Sequence, residues 1–449
     1  MDNPELKNTP NRNYQFIVHT FGCKVNTYDT GLIQRNLASY GNVDQGSQKA
    51  AAVHVLNTCA VTAEATQQAV RLIRKIKAKE PLATVVVTGC AAQVDTGAFE
   101  SLAGADLVVA NSHKGLLPQI IDQYFKKETA KKVFKSNIFR KEDLESGGGE
   151  ETSHTRSFLK IQDGCNSFCT FCIIPYARGK SRSIPVKVLL ERIHELESNG
   201  IKEIVLTGVH IGDYQDEGAC LEDLVEQVLS KTAIGRIRLS SLEPIELSDR
   251  LVKLYANKRL CAHFHMSIQS GDSEVLQLMK RQYGEEQVRQ SLSKIEQHVP
   301  GAYVGMDVIA GFPSETDEQF ENTYKVLAET PWTRLHVFPY SERPGTRAAL
   351  LPQLNMAKRK ERASRLRELS LHRLQSEALK QVGKEKLALV LNKLGSRQQA
   401  LTRDYWSVDL ALTEDQHLQL KNTECRVVVQ GVEVNEADVI LKAELAGYE

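Results

Sequence analysis

The stretch GCNSFCTFC at residues 164–172 decides more about this 449-residue chain than any other segment. It spaces three thiols, Cys165, Cys169 and Cys172, in a C-x3-C-x2-C pattern, and the next cysteine along the chain is Cys220. Three thiolates on a cluster of four irons leave one iron without a protein ligand, and a metal site with an open position can bind and activate a small molecule. The stretch therefore predicts an iron–sulfur cluster that takes a ligand from outside the protein.

A structural zinc site is the alternative interpretation of the same three cysteines. Closed zinc sites need four ligands, commonly from two C-x2-C pairs or from one pair and two closely spaced histidines. His154 and His194 flank the stretch, but neither stands at zinc-finger spacing. A redox-active dithiol is a further alternative, whereas disulfides are not expected because nothing else in the sequence indicates an oxidising compartment.

Length and composition are those of a soluble protein with about two to three domains. Hydrophobic residues make up 41% of the chain and charged residues 25%. Residues 1–14 lack the apolar run of a signal peptide, and no stretch has the length and hydrophobicity of a membrane span. We therefore expect a cytoplasmic protein without membrane contact, in which nine cysteines indicate metal binding or catalysis. The net charge of +1 means that any RNA binding depends on local patches.

The N-terminal part of the chain repeats one local pattern three times. A β-branched run leads directly to a cysteine in FIVHTFGC at residues 16–23, AVHVLNTC at 52–59 and TVVVTGC at 84–90. Each run is typical of a buried parallel strand, and each is followed by a plausible helix, most clearly at residues 63–79. This pattern predicts successive strand–helix units in an open parallel sheet.

The three cysteines that end these runs are Cys23, Cys59 and Cys90. Because the carboxyl ends of parallel strands share one edge of a sheet, the three thiols are predicted to converge there. They would hold a second cluster, again with one open iron. The alternative is that each is a small buried hydrophobic residue. That is how we interpret the remaining cysteines, Cys220, Cys261 and Cys425.

Together these motifs resemble those of the methylthiotransferases, a family of radical S-adenosylmethionine (SAM) enzymes with an N-terminal cluster domain. The similarity extends over nearly the whole chain. It is carried by FGCKVNTY at 21–28, NTCAVT at 57–62, TGCA at 88–91 and residues 165–183 with IIPYARG at 173–179. The resemblance implies two [4Fe-4S] clusters, one for reductive cleavage of SAM to a 5′-deoxyadenosyl radical and one for delivery of sulfur. It also implies an external electron donor and a sulfur donor.

Between residues 158 and 350, β-rich runs alternate with amphipathic helices such as 186–199 and 287–298, which predicts parallel strands wrapped by helices. The strand candidates are 158–161, 203–206, 236–239, 263–268, 303–309 and 335–338. The resemblance implies that these six runs form a partial (β/α)6 barrel. Its working face should lie at the carboxyl ends of the strands, as in complete barrels.

The resemblance also implies which residues contact SAM at those strand ends. They are Thr207, Gly208, Glu243, Gln269, Ser270, Gly311 and Arg343. Glu243 could instead be an ordinary surface carboxylate, and Arg343 could simply solvate its loop. His263 and His265 are equally well placed in the wall of the barrel. No general base or nucleophile is assigned, because the cofactors carry the chemistry in such enzymes.

The predicted fold class is α/β, with an open parallel-sheet domain, the partial barrel, and a small C-terminal antiparallel β-barrel that resembles a TRAM domain. The predicted boundaries are 13–126 for the first domain, 127–153 for a linker, 154–380 for the radical SAM domain and 381–446 for the barrel. The linker is indicated by GGG at 147–149 among acidic and small residues.

Two C-terminal segments bear on RNA binding. Residues 356–380 hold eight Lys or Arg against three Glu and predict a basic amphipathic helix. Such helices are usually solvated faces, and contact with RNA phosphates is the alternative. Residues 381–449 hold eight Lys or Arg against eleven Asp or Glu, although an RNA-binding barrel is normally basic. Tyr405 and Trp406 could stack on bases or pack in a core. We therefore expect the helix to make most phosphate contacts.

Two segments indicate the substrate. GCKVN at 22–26 and YARGKSR at 176–182 most resemble the methylthiotransferases that act on threonylcarbamoyladenosine in tRNA. The resemblance implies conversion of this nucleoside, 3′ of the anticodon in the anticodon stem-loop, to its 2-methylthio derivative. Neighbouring subgroups act on isopentenyladenosine in tRNA or on an aspartate of a ribosomal protein. A zinc-stapled RNA-binding protein without enzymatic activity is the alternative from another class.

Overall fold

The computed structural model describes residues 14–44, 53–142, 144, 155–392, 399–435 and 438–446. The chain divides into two compact units that alternate along the sequence. The first consists of residues 1–150, 158–168 and 172–184, and the second of residues 151–157, 169–171 and 185–449. The GGG motif of the predicted linker lies outside the described residues.

A six-stranded sheet is the centre of the first unit, with strand order β2-β1-β3-β4-β5-β6 and parallel pairing throughout. Its strands are β1 (Tyr14–Thr20), β2 (Gly41–Asp44), β3 (Val53–Thr58), β4 (Thr84–Gly89), β5 (Leu107–Ala110) and β6 (Val133–Phe134). Its helices are α1 (Lys24–Leu37), α2 (Ala63–Lys79), α3 (Cys90–Val94), α4 (Thr96–Glu100) and α5 (Leu117–Phe125). The open parallel sheet is therefore as predicted, and β6 adds a strand within the segment assigned to the linker.

Helices cover both faces of this sheet, as strand β4 shows. Val85 and Val87 belong to the core that contains α2, whereas Val86 belongs to the core that contains residues of α1 and α5. Side chains alternate between the two faces of a strand, so a strand buried on both faces is continuously apolar. This explains why the run at residues 84–87 has no polar–apolar alternation.

The rest of the first unit is a small loop region. A two-stranded antiparallel ribbon pairs β8 with β9, and helix α6 lies between them in sequence. The bounds are β7 (Arg156–Lys160), β8 (Gln162–Asp163), α6 (Ile174–Arg178) and β9 (Arg182–Ser183). The three cysteines of residues 164–172 follow β8 directly.

The second unit alternates strands and helices, as predicted. Strand β10 pairs in parallel with β11, and β12 to β15 form a four-stranded parallel sheet. The strands are β10 (Glu203–Thr207), β11 (Arg236–Leu239), β12 (Ser241–Leu242), β13 (His263–Gln269), β14 (Tyr303–Ala310) and β15 (Arg334–Pro339). The helices are α7 (Val186–Ser198), α8 (Leu221–Lys231), α9 (Asp249–Leu254), α10 (Ser273–Leu278), α11 (Glu285–His298) and α12 (Asp317–Glu329). All six predicted strand runs correspond to strands, the first of them to β7, which ends one residue before the predicted end at 161.

A closed five-stranded barrel ends the chain, with strand order β16-β17-β18-β20-β19. The elements are α13 (Met356–Leu379), β16 (Glu385–Val390), β17 (Ala400–Thr402), β18 (Ser407–Asp409), α14 (Glu414–Leu420), β19 (Glu424–Val434) and β20 (Val439–Leu445). The predicted antiparallel barrel is confirmed except at one pair, because β18 and β20 are parallel. A closed ring with an odd number of strands cannot alternate direction at every pair. None of the helices in the described part of the chain has both the length and the apolar character needed to span a bilayer.

The basic helix α13 uses its charge inside the second unit. Five of its guanidinium groups contact carboxylates or backbone carbonyls of neighbouring elements, namely those of Arg359, Arg362, Arg365, Arg367 and Arg373. Arg362 is buried and pairs with Glu315 at 2.5 Å. Most of the cations of this helix therefore have partners within the protein, and the expectation that the helix makes most of the phosphate contacts stays a prediction.

The two aromatic residues of the barrel pack inside the second unit. Trp406 is 3% exposed and belongs to the barrel core. The ring of Tyr405 lies 3.9 Å from that of His263, centroid to centroid. Of the two interpretations, base stacking and core packing, the structure favours core packing.

A buried ionic network joins the barrel to strands β10 and β11. Glu203, fully buried, accepts hydrogen bonds from Arg236 Nε at 2.7 Å and from Arg238 Nε at 2.9 Å. Both arginines also donate to the carbonyl oxygen of Thr402 in β17, at 3.1 and 2.8 Å. Burial by itself raises the pKa of Glu203, but the two guanidinium groups outweigh it and hold that pKa well below its ordinary value. Glu203 thus pairs with both arginines that anchor the barrel, and it also pairs with Arg156 at 3.3 Å, while Arg236 has a second carboxylate partner in Glu424.

Replacing this carboxylate should destabilise the second unit strongly. Glu203→Gln leaves the buried guanidinium of Arg238 without its carboxylate and leaves Arg236 with Glu424 alone, and breaking a buried pair in this way costs about 3–5 kcal/mol. Urea denaturation should show a lower midpoint for the variant. Glu226→Gln is the matched control, because Glu226 pairs with Arg250 at the surface, where an ion pair contributes only about 0–1 kcal/mol. Equal midpoints for the two variants would contradict this assignment.

Candidate metal centre

The structure brings three N-terminal thiols to one edge of the first unit's sheet. Cys23 caps α1 just beyond β1, Cys59 directly follows β3, and Cys90 follows β4 as the first residue of α3. The three strands are neighbours in the sheet, so their carboxyl ends lie side by side. Burial, together with the nearby thiols of Cys90 and Cys23, raises the pKa of Cys59 to about 12.

Backbone geometry at two glycines makes this approach possible. Gly22 has φ +90°, and a Cβ there would lie 2.5 Å from both Cβ and Sγ of Cys59. Gly89 has φ +96°, and a Cβ there would lie 2.4 Å from the carbonyl oxygen of Thr58. Only glycine combines a left-handed conformation with the absence of that atom. The glycine before Cys23 and the glycine before Cys90 are therefore part of the site.

A buried amide ties the loop that carries Cys23 to the end of β3. Asn26 Nδ2 donates to the carbonyl oxygens of Phe21 at 2.8 Å and Thr58 at 3.0 Å. Asn57 Nδ2 donates in return to the carbonyl oxygen of Asn26 at 2.9 Å. These bonds fix two of the cysteine-bearing loops relative to one another.

The three thiols differ in access to solvent. Cys59 and Cys90 are 4% and 2% exposed, whereas Cys23 is exposed. A centre held by all three would be enclosed by the sheet edge and open on the Cys23 side. Asn111 Nδ2 lies 3.6 Å from Cys90 Sγ, and an N–H group of this kind tunes the potential of an iron–sulfur cluster through its sulfur ligands.

An ionic network beside these thiols carries excess positive charge. Asp29 is contacted by Lys160 at 2.7 Å, Lys114 at 2.9 Å and Arg178 at 3.0 Å, and Arg178 also binds Asp163 at 2.9 Å. All five residues are buried. Burial alone would raise the pKa of Asp29, but the three cations hold it well below its ordinary value. Three cations therefore share two carboxylates.

Arg178 links this network to the cysteines. Burial lowers its pKa, but Asp163, Cys90, Asp29 and Cys23 raise it well above its ordinary value. Burial raises the pKa of the Cys23 thiol, and the guanidinium of Arg178 opposes that rise in favour of the thiolate, the form that binds metal. Three thiols, a glycine-lined approach and a neighbouring buried cation fit a [4Fe-4S] cluster with one open iron.

The central cysteines lie on the loop that follows β8. Cys165 and Cys172 belong to the first unit and Cys169 to the second, and each is partly exposed. The backbone N–H of Cys165 donates to the carbonyl oxygen of Gly179 at 3.1 Å. Phe168 adopts φ +48°, which turns the chain between the first and second cysteines. Three thiols on one short loop are the donor set that the sequence pattern predicts for a cluster.

Most of the residues predicted to contact SAM lie where strands of the second unit end. Thr207 and Gln269 are the last residues of β10 and β13, and Gly311 directly follows β14. The hydroxyl of Ser270 is 2.9 Å from Thr323 Oγ1, so it also braces α12. Gly311 has φ +70°, and a Cβ there would lie 2.9 Å from Arg359 Cγ. This glycine is therefore needed for the packing of α13, whatever its relation to SAM.

The two predicted charged contacts differ in setting. Glu243 forms an ion pair with Arg281, and its Oε1 lies 3.7 Å from His210 Nε2. Burial raises the pKa of Glu243, while Arg281 and His210 lower it, so it is not an ordinary surface carboxylate. Arg343 is 4% exposed, which contradicts the interpretation that it solvates its loop. Sequence reasoning missed Arg281 and His210, because neither belongs to a recognisable motif.

Known proteins match this chain over most of its length. A model of the Radical SAM superfamily matches residues 159–327, and a model of the uncharacterized protein family UPF0004 matches residues 15–110. A threonylcarbamoyladenosine tRNA methylthiotransferase MtaB of Aquifex aeolicus is 38% identical over 390 residues, which cover 86% of this chain and 94% of that protein. A tRNA-2-methylthio-N(6)-dimethylallyladenosine synthase of Desulfotalea psychrophila is 31% identical over 351 residues, covering 74% and 78%.

A solved structure supports the same fold. The radical SAM methyltransferase TsrM of Kitasatospora setae superposes with a TM-score of 0.56 at 14% identity, covering 75% of this chain and 74% of that one. Parallel strands wrapped by helices, with the C-x3-C-x2-C loop directly before them, define a radical SAM protein. The chain belongs to the methylthiotransferase family of radical SAM enzymes. The predicted cofactors, SAM and [4Fe-4S] clusters, are those of this family, and the zinc-stapled non-enzyme is excluded.

Substitution of Gly22 should damage the N-terminal centre alone. In Gly22→Ala the new Cβ collides with Cys59, so one thiol moves away from the other two. After anaerobic reconstitution, bound iron should fall from about eight to about four per chain. Gly97→Ala is the matched control, because a Cβ at Gly97 meets nothing within 4 Å. An unchanged iron content in Gly22→Ala would contradict this account of the site.

Proposed function

We propose that this protein methylthiolates carbon 2 of threonylcarbamoyladenosine, 3′ of the anticodon in tRNA. The observation that carries the proposal is a sequence identity of 38% to a protein named for that reaction, in an alignment that covers 94% of that protein. The dimethylallyladenosine synthase is less similar, at 31% identity over 78% of its length. The difference favours the threonylcarbamoyl substrate over the isopentenyl substrate.

The six cysteines of the two motif sets have separate tasks in this proposal. Cys165, Cys169 and Cys172 hold the cluster that works with SAM. The second cluster is held by Cys23, Cys59 and Cys90. When bound, these cofactors supply the electron, the radical and the sulfur that the reaction requires.

The chain itself positions and shields these groups. Arg178 and its buried partners place positive charge beside Cys23 and Cys90, and the guanidinium opposes the rise that burial causes in the pKa of Cys23. The exposed side of that centre, at Cys23, is where a nucleoside can approach. Contacts to SAM are assigned to strand-end residues of the second unit, Thr207, Gly208, Glu243, Gln269, Ser270, Gly311 and Arg343.

Partners and location follow from the same chemistry. The substrate is the anticodon stem-loop of a tRNA that already carries the threonylcarbamoyl group. An external electron donor and a sulfur donor are required, because repeated turnover consumes electrons and sulfur. The reaction is assigned to the cytoplasm, where tRNA is modified. In this proposal the domain at 13–126 carries the second cluster and is followed by the linker at 127–153. The domain at 154–380 carries the SAM site, and the domain at 381–446 is the barrel that is fixed to β10 and β11.

Cysteine substitutions separate the two tasks. With SAM, reductant, a sulfur source and tRNA, Cys165→Ala should form neither 5′-deoxyadenosine nor methylthiolated nucleoside. Cys23→Ala should still cleave SAM but should give at most about 1% of the normal product, because sulfur delivery lacks its centre. Mass spectrometry of tRNA digests and chromatography of 5′-deoxyadenosine provide both readouts.

Cys425→Ala is the control, because Cys425 lies in barrel strand β19 and belongs to neither set of motif cysteines. It should behave like the unaltered protein. If the protein methylthiolated isopentenyladenosine but not threonylcarbamoyladenosine, the proposed substrate would be wrong and isopentenyladenosine would replace it. Product formation by Cys23→Ala at the normal rate would refute the two-centre scheme.

A further inference from the structure

Three polar side chains of the second unit form a row across neighbouring strands. His265 is on β13, Asp307 on β14 and His336 on β15. A ring nitrogen of each histidine and a carboxylate oxygen of Asp307 all lie within 4.8 Å of one another. None of these residues belongs to the cysteine sets or to the residues assigned to SAM.

The row lies on the less buried face of the sheet, one layer nearer the strand ends than His263, which packs against Tyr405 of the barrel. His265, Asp307 and His336 are all partly exposed, whereas the residues that follow them, Met266, Val308 and Val337, are buried. Successive side chains of a strand point to opposite faces, so the row shares the face that the helices leave uncovered. In a barrel of this kind that face is the interior, where a substrate reaches from the strand ends.

Gly305 leaves room for the two imidazoles. A Cβ at Gly305 would lie 3.5 Å from His336 Nε2, and Gly305 is the register partner of His265. The two rings lie 5.3 Å apart, centroid to centroid. Between the histidines the sheet therefore presents the bare backbone of Gly305.

Distances favour a hydrogen-bonding site over a metal site. His265 Nε2 lies 2.8 Å from Asp307 Oδ1, which is a normal hydrogen bond. Two ligands at about 2.1 Å from a tetrahedral metal ion would lie roughly 3.4 Å apart. Asp307 thus fixes the ring of His265, and imidazole nitrogens can donate or accept further hydrogen bonds.

We propose that His265, Asp307 and His336 recognise the threonylcarbamoyl group of the substrate; this inference rests on the proposed function. That group carries a carboxylate, a hydroxyl and a urea-like linkage, and a row of two imidazoles and a carboxylate offers both donors and acceptors to it. The dimethylallyl group of the related substrate offers no hydrogen-bonding atoms. A site built to hydrogen-bond a substrate rejects an analogue that lacks those atoms. The row lies three to four residues before the strand ends, or roughly 10–13 Å along the strands, which exceeds the length of the threonylcarbamoyl group, so the adenine itself has to enter the mouth of the barrel.

Binding of two RNAs to the cluster-loaded full chain tests the inference. One is an anticodon stem-loop with threonylcarbamoyladenosine, and the other is the same RNA with unmodified adenosine. The unaltered protein should bind the modified RNA about tenfold more tightly or better, as one or two hydrogen bonds provide. His265→Leu and His336→Leu should reduce this ratio to below about threefold and leave the affinity for unmodified RNA unchanged.

His298→Leu is the control, because His298 is exposed at the end of α11 and should leave the ratio as it is. His336→Gln keeps a hydrogen-bonding group and should retain part of the preference. If a leucine variant does not fold, His336→Gln provides the test in its place. The inference would be overturned if the leucine variants bound both RNAs equally more weakly, or if their affinity ratio for the two RNAs were unchanged. A stoichiometric zinc ion that these variants lose would also overturn it.

Turnover in the same samples separates this inference from the proposed function. If the unaltered protein methylthiolates threonylcarbamoyladenosine but the leucine variants keep the binding ratio, only the recognition row is wrong. If the ratio depends on the histidines but no methylthio product forms, only the proposed reaction is wrong.

Discussion

The shared edge of a parallel sheet is the constraint on which the N-terminal site depends. Neighbouring parallel strands end side by side, so one cysteine after each of β1, β3 and β4 is enough to bring three thiols together. The cost is close packing of backbone and side chains, which Gly22 and Gly89 relieve by having no Cβ and a positive φ. Among the described residues no fourth thiol takes part in this arrangement, so a cluster held there would have one iron without a protein ligand.

Buried charge supports function differently in the two units. In the first unit, three cations share Asp29 and Asp163, and the surplus positive charge lies beside thiols that must be ionised to bind metal. In the second unit, two arginines share Glu203 and join a strand pair to the C-terminal barrel. Unpaired buried charges are costly, so each network is expected to be specific in geometry and sensitive to substitution.

Sequence patterns predicted what depends on local order. Short-range signals of this kind are the strand runs, the C-x3-C-x2-C loop and the cysteines after three strands. Each of them can be assigned to its own structural element from neighbouring residues alone. Contacts between distant residues could not be predicted in this way. Lys160 and Asp29 are 131 positions apart, and the row of His265, Asp307 and His336 exists only because three strands pair in one register. The intramolecular partners of the basic helix could not be predicted for a related reason, since composition does not reveal that Arg362 pairs with the buried Glu315.

Mössbauer spectroscopy on anaerobically purified, iron-57-enriched protein tests the central claim most directly. The account predicts about eight irons per chain in two [4Fe-4S] clusters. It also predicts that about four remain, in one cluster, when Cys23, Cys59 and Cys90 are all replaced by alanine. The same spectrum and iron content in both proteins would show that the edge of the N-terminal sheet holds no cluster, and would contradict the account.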